Sequence, residues 1–177
     1  SHTRVEQVFL WCALAKCGAL LVPVNTHYRG NILSYLINDS LAETIAIEAE
    51  FLQQLIDVWD QLLHLKRVIL IGGKRESPGP AWEEIVSRYE THPYSDILDD
   101  AVFEGDTPGY RDFMGVFYTS GTTGRSKGVT MTHAHAFEYA RGVTEMLDLR
   151  EDDVYCSPLP LFHIAGLLAT VYAAGIV

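Results

Sequence analysis

The stretch "YTSGTTGRSKGV", Tyr118–Val129, places glycine, small hydroxyl residues and cations between two segments that favour extended structure. Before it, "FMGVF" is apolar and rich in β-forming residues. After it, Val129 and Met131 alternate with Thr130 and Thr132. The pattern predicts a buried strand, a long loop, a second short strand and a helix that begins near His133.

The same alternation extends along the rest of the chain. Apolar runs bounded by turn residues predict strands at Ala19–Asn25, Thr44–Ala49, Arg67–Gly72, Phe113–Ser120 and Asp153–Leu159. Helical periodicity lies between them, at Glu6–Lys16, Asn31–Asn38, Glu50–His64, Ala81–Tyr89 and His133–Leu147. Gly18 and the pair Asp39–Ser40 are predicted helix ends. We therefore expect an α/β fold with layered, mostly parallel sheets and flanking helices.

Composition narrows the function. The 177 residues carry a net charge of -10, which disfavours binding to nucleic acid or to an anionic membrane. Cys12, Cys17 and Cys156 are odd in number and lack C-x-x-C spacing, so we expect reduced core cysteines of a cytoplasmic protein. His133 and His135 form an H-x-H pair, a weak metal signal without a third spaced ligand.

The apolar segment Leu159–Val177 is long enough to cross a membrane on length alone. It contains Pro160, His163 and two glycines and has no flanking basic residues, so a buried helix is the better interpretation. The opening residues lack a basic region followed by an apolar run, and we expect no secretory signal.

The glycine-rich loop has two interpretations. Its glycines suit a plain turn between strands, or they free backbone N–H groups that, with neighbouring hydroxyls and the Lys127 ammonium, form a cradle for phosphate oxygens. The phosphate cradle accounts for more of the residues in this loop than a plain turn does. The loop is not a Walker A motif, because Lys127 is followed by Gly128 and a strand pattern instead of by Ser or Thr opening a helix.

Three stretches carry a specific resemblance. "YTSGTTGRSKGVTMTH" (118–133) resembles the phosphate loop of the adenylate-forming superfamily, which includes acyl-CoA synthetases, peptide-synthetase adenylation domains and beetle luciferases. "PLPLFHIAG" (158–166) and "WCALAKCGALLVPVNTHYRG" (11–30) are similar to segments that flank this loop in the same family. Ser126 is a departure, because proline is commonest there. The resemblance implies that residues 1–177 are an incomplete N-terminal AMP-binding domain, without the C-terminal lid domain.

In such enzymes ATP activates a carboxylic acid to an acyl-adenylate with release of pyrophosphate, and the acyl group then usually passes to a thiol; coenzyme A is the acceptor expected here, with another thiol left open. The resemblance implies that His163 lies beside the acyl pocket and orients the carboxylate, although a core histidine at the start of an apolar helix is the plainer alternative. Phe162, Ile164 and Gly166 would help to shape that pocket. The positions that inherit the phosphate loop are Thr119, Ser120, Gly121, Thr122, Thr123, Gly124 and Lys127.

The resemblance also implies Mg²⁺, with its ligand outside this chain, and a cytoplasmic enzyme with no nucleic-acid partner and no membrane span. We expect the 177 residues alone to be inactive. A second hypothesis is a truncated, non-catalytic fragment that at most binds nucleotide phosphate or a protein partner. The sequence does not identify the acid, and it leaves a homo-oligomer open.

Overall fold

A computed structural model describes residues 3–72, 79–99, 102–119 and 125–177. The chain divides into two compact units, Thr26–Val102 and a second unit that joins His2–Asn25 to Phe103–Val177. The helices of the first unit are α2 (Gly30–Asp39), α3 (Leu52–Ile56) and α4 (Pro80–Arg88), and its strands are β1 (Thr44–Glu48), β2 (Arg67–Ile71) and β3 (Glu90–Pro93). The second unit contains α1 (Val5–Cys17), β4 (Phe113–Thr119), β5 (Lys127–Thr132), α5 (His133–Leu147) and α6 (Ile164–Gly166), which continues as a π-helical segment, Leu167–Tyr172.

The first unit is built on a parallel sheet of order β1-β2-β3, in which Thr44 pairs with Arg67 and Arg67 with Glu90. Helices α3 and α4 lie between successive strands in the sequence, as parallel connections require. The buried core residues of this unit are Leu33, Leu36, Ile37, Ile47, Leu52, Leu55, Val58, Leu65, Val68, Leu70, Ile71 and Ile85. The parallel sheet predicted from the alternation of strands and helices is confirmed here.

Strand β3 was not expected from the sequence. Its residues Glu90–Pro93 are polar or conformationally restricted and show no apolar alternation. It nevertheless pairs with β2 along one side and forms the end of the described sheet, a position where proline is tolerated because its missing N–H has no partner to lose. Edge position therefore explains why composition did not reveal the strand.

The long helix predicted at Glu50–His64 is wrong in extent. The segment is interrupted after α3 and continues as a tight 3-10 turn, Trp59–Gln61. Asn38 bonds to backbone groups here, because its Nδ2 donates to the Gln61 carbonyl (2.7 Å) and its Oδ1 accepts from the Leu63 N–H (2.9 Å). These tertiary bonds occupy groups that a continuous helix would use.

Leu41, which follows the end of helix α2 in the first unit, has a strained backbone conformation. It has φ +55°, in the left-handed region, and its side chain is 64% exposed. A non-glycine residue in this region costs about 1 to 2 kcal/mol, while glycine loses about 0.5 to 1 kcal/mol of extra chain entropy on folding. We expect Leu41→Gly to raise the free energy of unfolding by about 0.5 kcal/mol, measured by urea denaturation. Leu41→Ala is the control, and equal stability of the two variants would contradict the strain.

The core of the second unit lies on one face of an antiparallel hairpin. β4 and β5 pair from Phe113↔Thr132 to Thr119↔Lys127, with a bulge between Phe113 and Gly115. Helix α5 begins at His133, as predicted, and the Thr132 hydroxyl caps it by accepting from the His135 N–H. The buried cluster contains Trp11, Met114, Phe117, Met131, Ala136, Leu167 and Leu168.

Two predicted strands are wrong. Of Ala19–Asn25, only Leu21 bridges β4: its N–H donates to the Met114 carbonyl (3.0 Å) and its own carbonyl accepts from the Val116 N–H (2.8 Å). Pro23 lacks the N–H that would extend the ladder. Asp153–Leu159 has no strand partner among the described residues and forms irregular structure.

The expectation of core cysteines is also wrong, although the three thiols are free as predicted. Cys12, Cys17 and Cys156 are all exposed. Trp11 is the buried residue of α1, whereas its neighbour Cys12 is exposed, and Cys156 lies in the segment Asp153–Leu159, which pairs with no described strand. Among the described helices, none is long and apolar enough to span a bilayer. The apolar Leu159–Val177 instead contributes buried residues such as Leu167 and Leu168.

Candidate functional site

The end of the β4–β5 hairpin brings together the two described residues of the predicted phosphate loop. Thr119 and Lys127 are the last paired residues of the two strands, and both are exposed. Residues 120–124, which include the predicted Ser120, Gly121, Thr122, Thr123 and Gly124, lie outside the described residues. The hairpin therefore places the Thr119 hydroxyl where residues 120–124 begin and the Lys127 ammonium group shortly after they end.

Strand alternation defines the face to which these two residues belong. Because side chains point to opposite faces in turn, Lys127 shares a face with Val129 and Met131, and Thr119 shares the same face with Phe117. Phe117 and Met131 belong to the same buried cluster as Leu167 and Leu168 of the π-helical segment. Lys127 thus shares its face of the hairpin with members of that cluster.

His163 begins the helix that continues as this π-helical segment. Its ring is exposed, and its Nδ1 accepts a hydrogen bond from the Ala165 N–H at 3.3 Å, so the imidazole caps α6. A neutral imidazole that accepts at Nδ1 carries its proton at Nε2, which makes Nε2 a hydrogen-bond donor. The plainer alternative of a buried core histidine is not what the structure shows. His163 can present a donor to an acceptor such as a carboxylate.

The approach to His163 is a tightly folded turn. The His163 N–H donates to the Pro160 carbonyl at 3.0 Å, and Leu161 is buried beneath it. Gly166, predicted to help shape the acyl pocket, packs directly against this turn. A Cβ on Gly166 would lie 2.2 Å from the Pro160 carbonyl oxygen and 2.9 Å from the Leu159 carbonyl oxygen. Any side chain at this position would therefore collide with the backbone of the turn.

Gly166→Ala should disturb the turn that orients His163. Because the obstructing atoms belong to the backbone, we expect a loss of about 1 to 3 kcal/mol in unfolding free energy, measured by chemical denaturation. Gly175→Ala is a matched control, since its added Cβ would lie 3.6 Å from the nearest atoms, an ordinary contact. Equal stability of the two variants would contradict the close approach.

Next to this turn, the π-helical segment contributes an aromatic contact to the cluster. Tyr172 packs edge-on against Trp11, with ring centroids 5.1 Å apart. Burial, and to a lesser degree the nearby Cys12, raise the pKa of Tyr172, so its phenol stays neutral at physiological pH. This side of the unit is therefore apolar and uncharged.

The metal hypothesis for His133 and His135 gains no support. Over the described ranges, there is no group of three or more His, Cys, Asp or Glu side chains that could hold a metal ion. The Mg²⁺ expected with ATP stays a prediction from the family resemblance.

Sequence reasoning missed one feature of the hairpin. Tyr118 lies opposite Gly128, and a Cβ on Gly128 would lie 3.3 Å from Cζ and 3.4 Å from Oη of the Tyr118 ring. The signal available in the sequence was an aromatic residue and a glycine at positions that pair across the loop. Recognising it required the register of the hairpin.

Comparison with known proteins agrees with the motifs. The profile of the family described as "AMP-binding enzyme" matches residues 1–176. The chain is 31% identical to "Putative acyl-CoA synthetase YngI" of Bacillus subtilis, over 91% of this chain and 32% of that protein. It is 28% identical to a crotonobetaine/carnitine–CoA ligase of Salmonella heidelberg, over 90% of this chain and 30% of that one.

Solved structures resemble the fold. The anthranilate CoA ligase AuaEII, determined in complex with anthranoyl-AMP, aligns with a TM-score of 0.79 at 24% identity, over 98% of this chain and 32% of that chain. The likeness at this identity shows the fold alone. The chain spans about a third of the length of the curated relatives it matches.

Proposed function

Because the chain belongs to the AMP-binding enzyme family over residues 1–176, we propose that it contributes the phosphate loop and part of the acyl pocket to a carboxylic acid–CoA ligase. The observation that carries the proposal is the hairpin end, where Thr119 and Lys127 flank residues 120–124. The relatives include a crotonobetaine/carnitine–CoA ligase and an anthranilate CoA ligase, which act on dissimilar acids, so the acid class stays open.

The first reaction is adenylation. A carboxylate oxygen of the acid attacks the α-phosphorus of ATP, the bond from this phosphorus to the bridging oxygen breaks, and pyrophosphate leaves with the electron pair. Negative charge therefore develops on the departing β and γ phosphates. Donors placed where charge develops stabilise the transition state more than the ground state, and Lys127, the Thr119 hydroxyl and the loop Ser120–Gly124 are proposed to serve this purpose.

The second reaction is thioesterification. The sulfur of coenzyme A attacks the acyl carbonyl carbon, the bond from this carbon to the AMP oxygen breaks, AMP leaves with the electron pair, and the thiol proton passes to solvent. His163, with its donor at Nε2, is proposed to orient the carboxylate before adenylation. ATP and coenzyme A would be co-substrates. The Mg²⁺ that accompanies ATP would add charge neutralisation, and residues outside the described set are proposed to hold it.

A non-catalytic fragment that binds nucleotide phosphate or a protein partner is the second candidate. Under this hypothesis the 177 residues would bind ATP or pyrophosphate weakly and show no acid-dependent reaction.

The test uses the complete gene product that carries these residues. Its intact mass under denaturing conditions is compared with 19.8 kDa, and ATP–pyrophosphate exchange is then assayed against a panel of aliphatic, aromatic and carnitine-like acids. Exchange that requires one acid class supports the ligase. Binding of ATP without exchange for any acid, at a mass of 19.8 kDa, supports the fragment instead. No binding and no exchange would overturn both.

A further inference from the structure

We propose that Tyr118 and Gly128 are positioning residues: together they form a register pair that fixes the β4–β5 hairpin so that Lys127 lies opposite Thr119. They are the next pair inward from Thr119 and Lys127, which are the last pair of the ladder. The role in catalysis rests on the proposed function, whereas the role in register does not.

The contact between the two residues is close. A Cβ on Gly128 would lie 2.7 Å from Val116 Cγ1 and 3.3 to 3.4 Å from the Cζ and Oη atoms of Tyr118. Val116 is therefore the closest neighbour, and the far end of the Tyr118 ring borders the same space across the strands, so both side chains take up room that a side chain at Gly128 would need. An aromatic ring over a cross-strand glycine restores the packing that glycine by itself lacks.

The pair discriminates between registers because of the composition of β5. Gly128 is the only glycine in Lys127–Thr132, so a slip of β5 by one or two residues would bring a residue with a Cβ beneath the Tyr118 ring. A slip of one residue would also turn Lys127 to the opposite face of the hairpin, away from Phe117 and Met131. The register pair thus controls the face on which the ammonium group lies.

The pair lies in the regular part of the ladder. A bulge between Phe113 and Gly115 shifts the pairing at the other end of the hairpin, whereas the pairs from Gly115↔Met131 to Thr119↔Lys127 follow one another without a shift. Tyr118 and Gly128 lie on the face opposite Thr119 and Lys127, and they act on the loop through the backbone without contacting the phosphates. Tyr118 is accordingly a positioning residue.

Register is tested by NMR on the complete gene product. In the wild type we expect NOEs from the Tyr118 ring protons to the Gly128 Hα, and backbone NOEs between Thr119 and Lys127. Tyr118→Phe keeps the ring and should keep the Thr119–Lys127 NOEs. Tyr118→Leu and Gly128→Ala should weaken or lose them. Thr130→Ala changes the same face without touching the pair, and it is the matched control.

The catalytic consequence is tested by ATP–pyrophosphate exchange in the complete gene product. Misplacement of a catalytic group by about 1 Å can cost about 10²-fold, so we expect Tyr118→Leu and Gly128→Ala to lower kcat by about tenfold or more, with KM for the acid nearly unchanged. Tyr118→Phe should stay within about twofold of wild type.

The outcomes separate the two proposals. If Tyr118→Leu and Gly128→Ala both keep the Thr119–Lys127 NOEs, the register pair is overturned, whatever the exchange rate. If these NOEs are lost but exchange is normal, the pair sets register without positioning a catalytic lysine, and the positioning role is overturned. If wild-type protein shows no acid-dependent exchange, the ligase proposal fails, while the NMR result still decides the register claim.

Discussion

Lys127→Ala should lower carboxylate-dependent ATP–pyrophosphate exchange by about 10² to 10³-fold, the typical cost of removing one donor from a site where charge develops. The ammonium group lies at the end of β5, opposite Thr119 across the mouth of the loop. On a chain of net charge -10, a polyanionic ligand must be held by local cations. The β and γ phosphates gain negative charge as their bond to the α-phosphorus breaks, so kcat should fall more than acid binding weakens.

Two further variants decide whether position or charge is responsible. Lys127→Arg keeps the positive charge but presents a planar guanidinium, and we expect it to recover only part of the activity. Lys16→Ala removes an equal charge from the last turn of α1 and should leave exchange near the wild-type rate. Unchanged exchange in Lys127→Ala would remove this residue from the adenylation step. An equal defect in Lys16→Ala would mean that overall charge, and not the hairpin, is responsible.

The hairpin and α5 were predictable because their signals are local. The apolar run before the loop, the alternation from Val129 onward and the capping residue Thr132 each act within a few residues, and the structure confirms β4, β5 and a helix that begins at His133. The pairing of Thr119 with Lys127 could not be predicted from these local signals, because loop length alone does not determine the register of two strands.

The errors concern features that depend on distant residues. A strand exists only with a partner, so the apolar composition of Asp153–Leu159 did not suffice, while polar Glu90–Pro93 became a strand by pairing with β2. Similarly, Cys12 has apolar neighbours in the sequence, yet its thiol is exposed, because Trp11 is the residue that α1 buries. Among the site residues, the capping bond of His163 and the contact between Gly166 and Pro160 depend on the folded turn and have no signature in composition.

His163→Ala should impair use of the acid more than use of ATP. The substitution removes two things: the Nδ1 acceptor that caps α6, and the Nε2 donor that the cap leaves available. If the donor orients the substrate carboxylate, we expect the kcat/KM for the acid to fall by about 10²-fold, as for other lost hydrogen bonds to a reacting group, with the KM for ATP within about twofold of wild type.

His163→Ser separates the donor from the cap. Serine is a good capping residue and can accept from the Ala165 N–H, but its side chain is too short to reach where Nε2 lies. We therefore expect His163→Ser to recover the stability lost in His163→Ala, about 1 kcal/mol by chemical denaturation, without recovering acid use. If serine instead restores acid use along with stability, the imidazole acts only as a helix cap. A defect confined to ATP would assign His163 to the nucleotide, since a group that orients the carboxylate must affect the acid first.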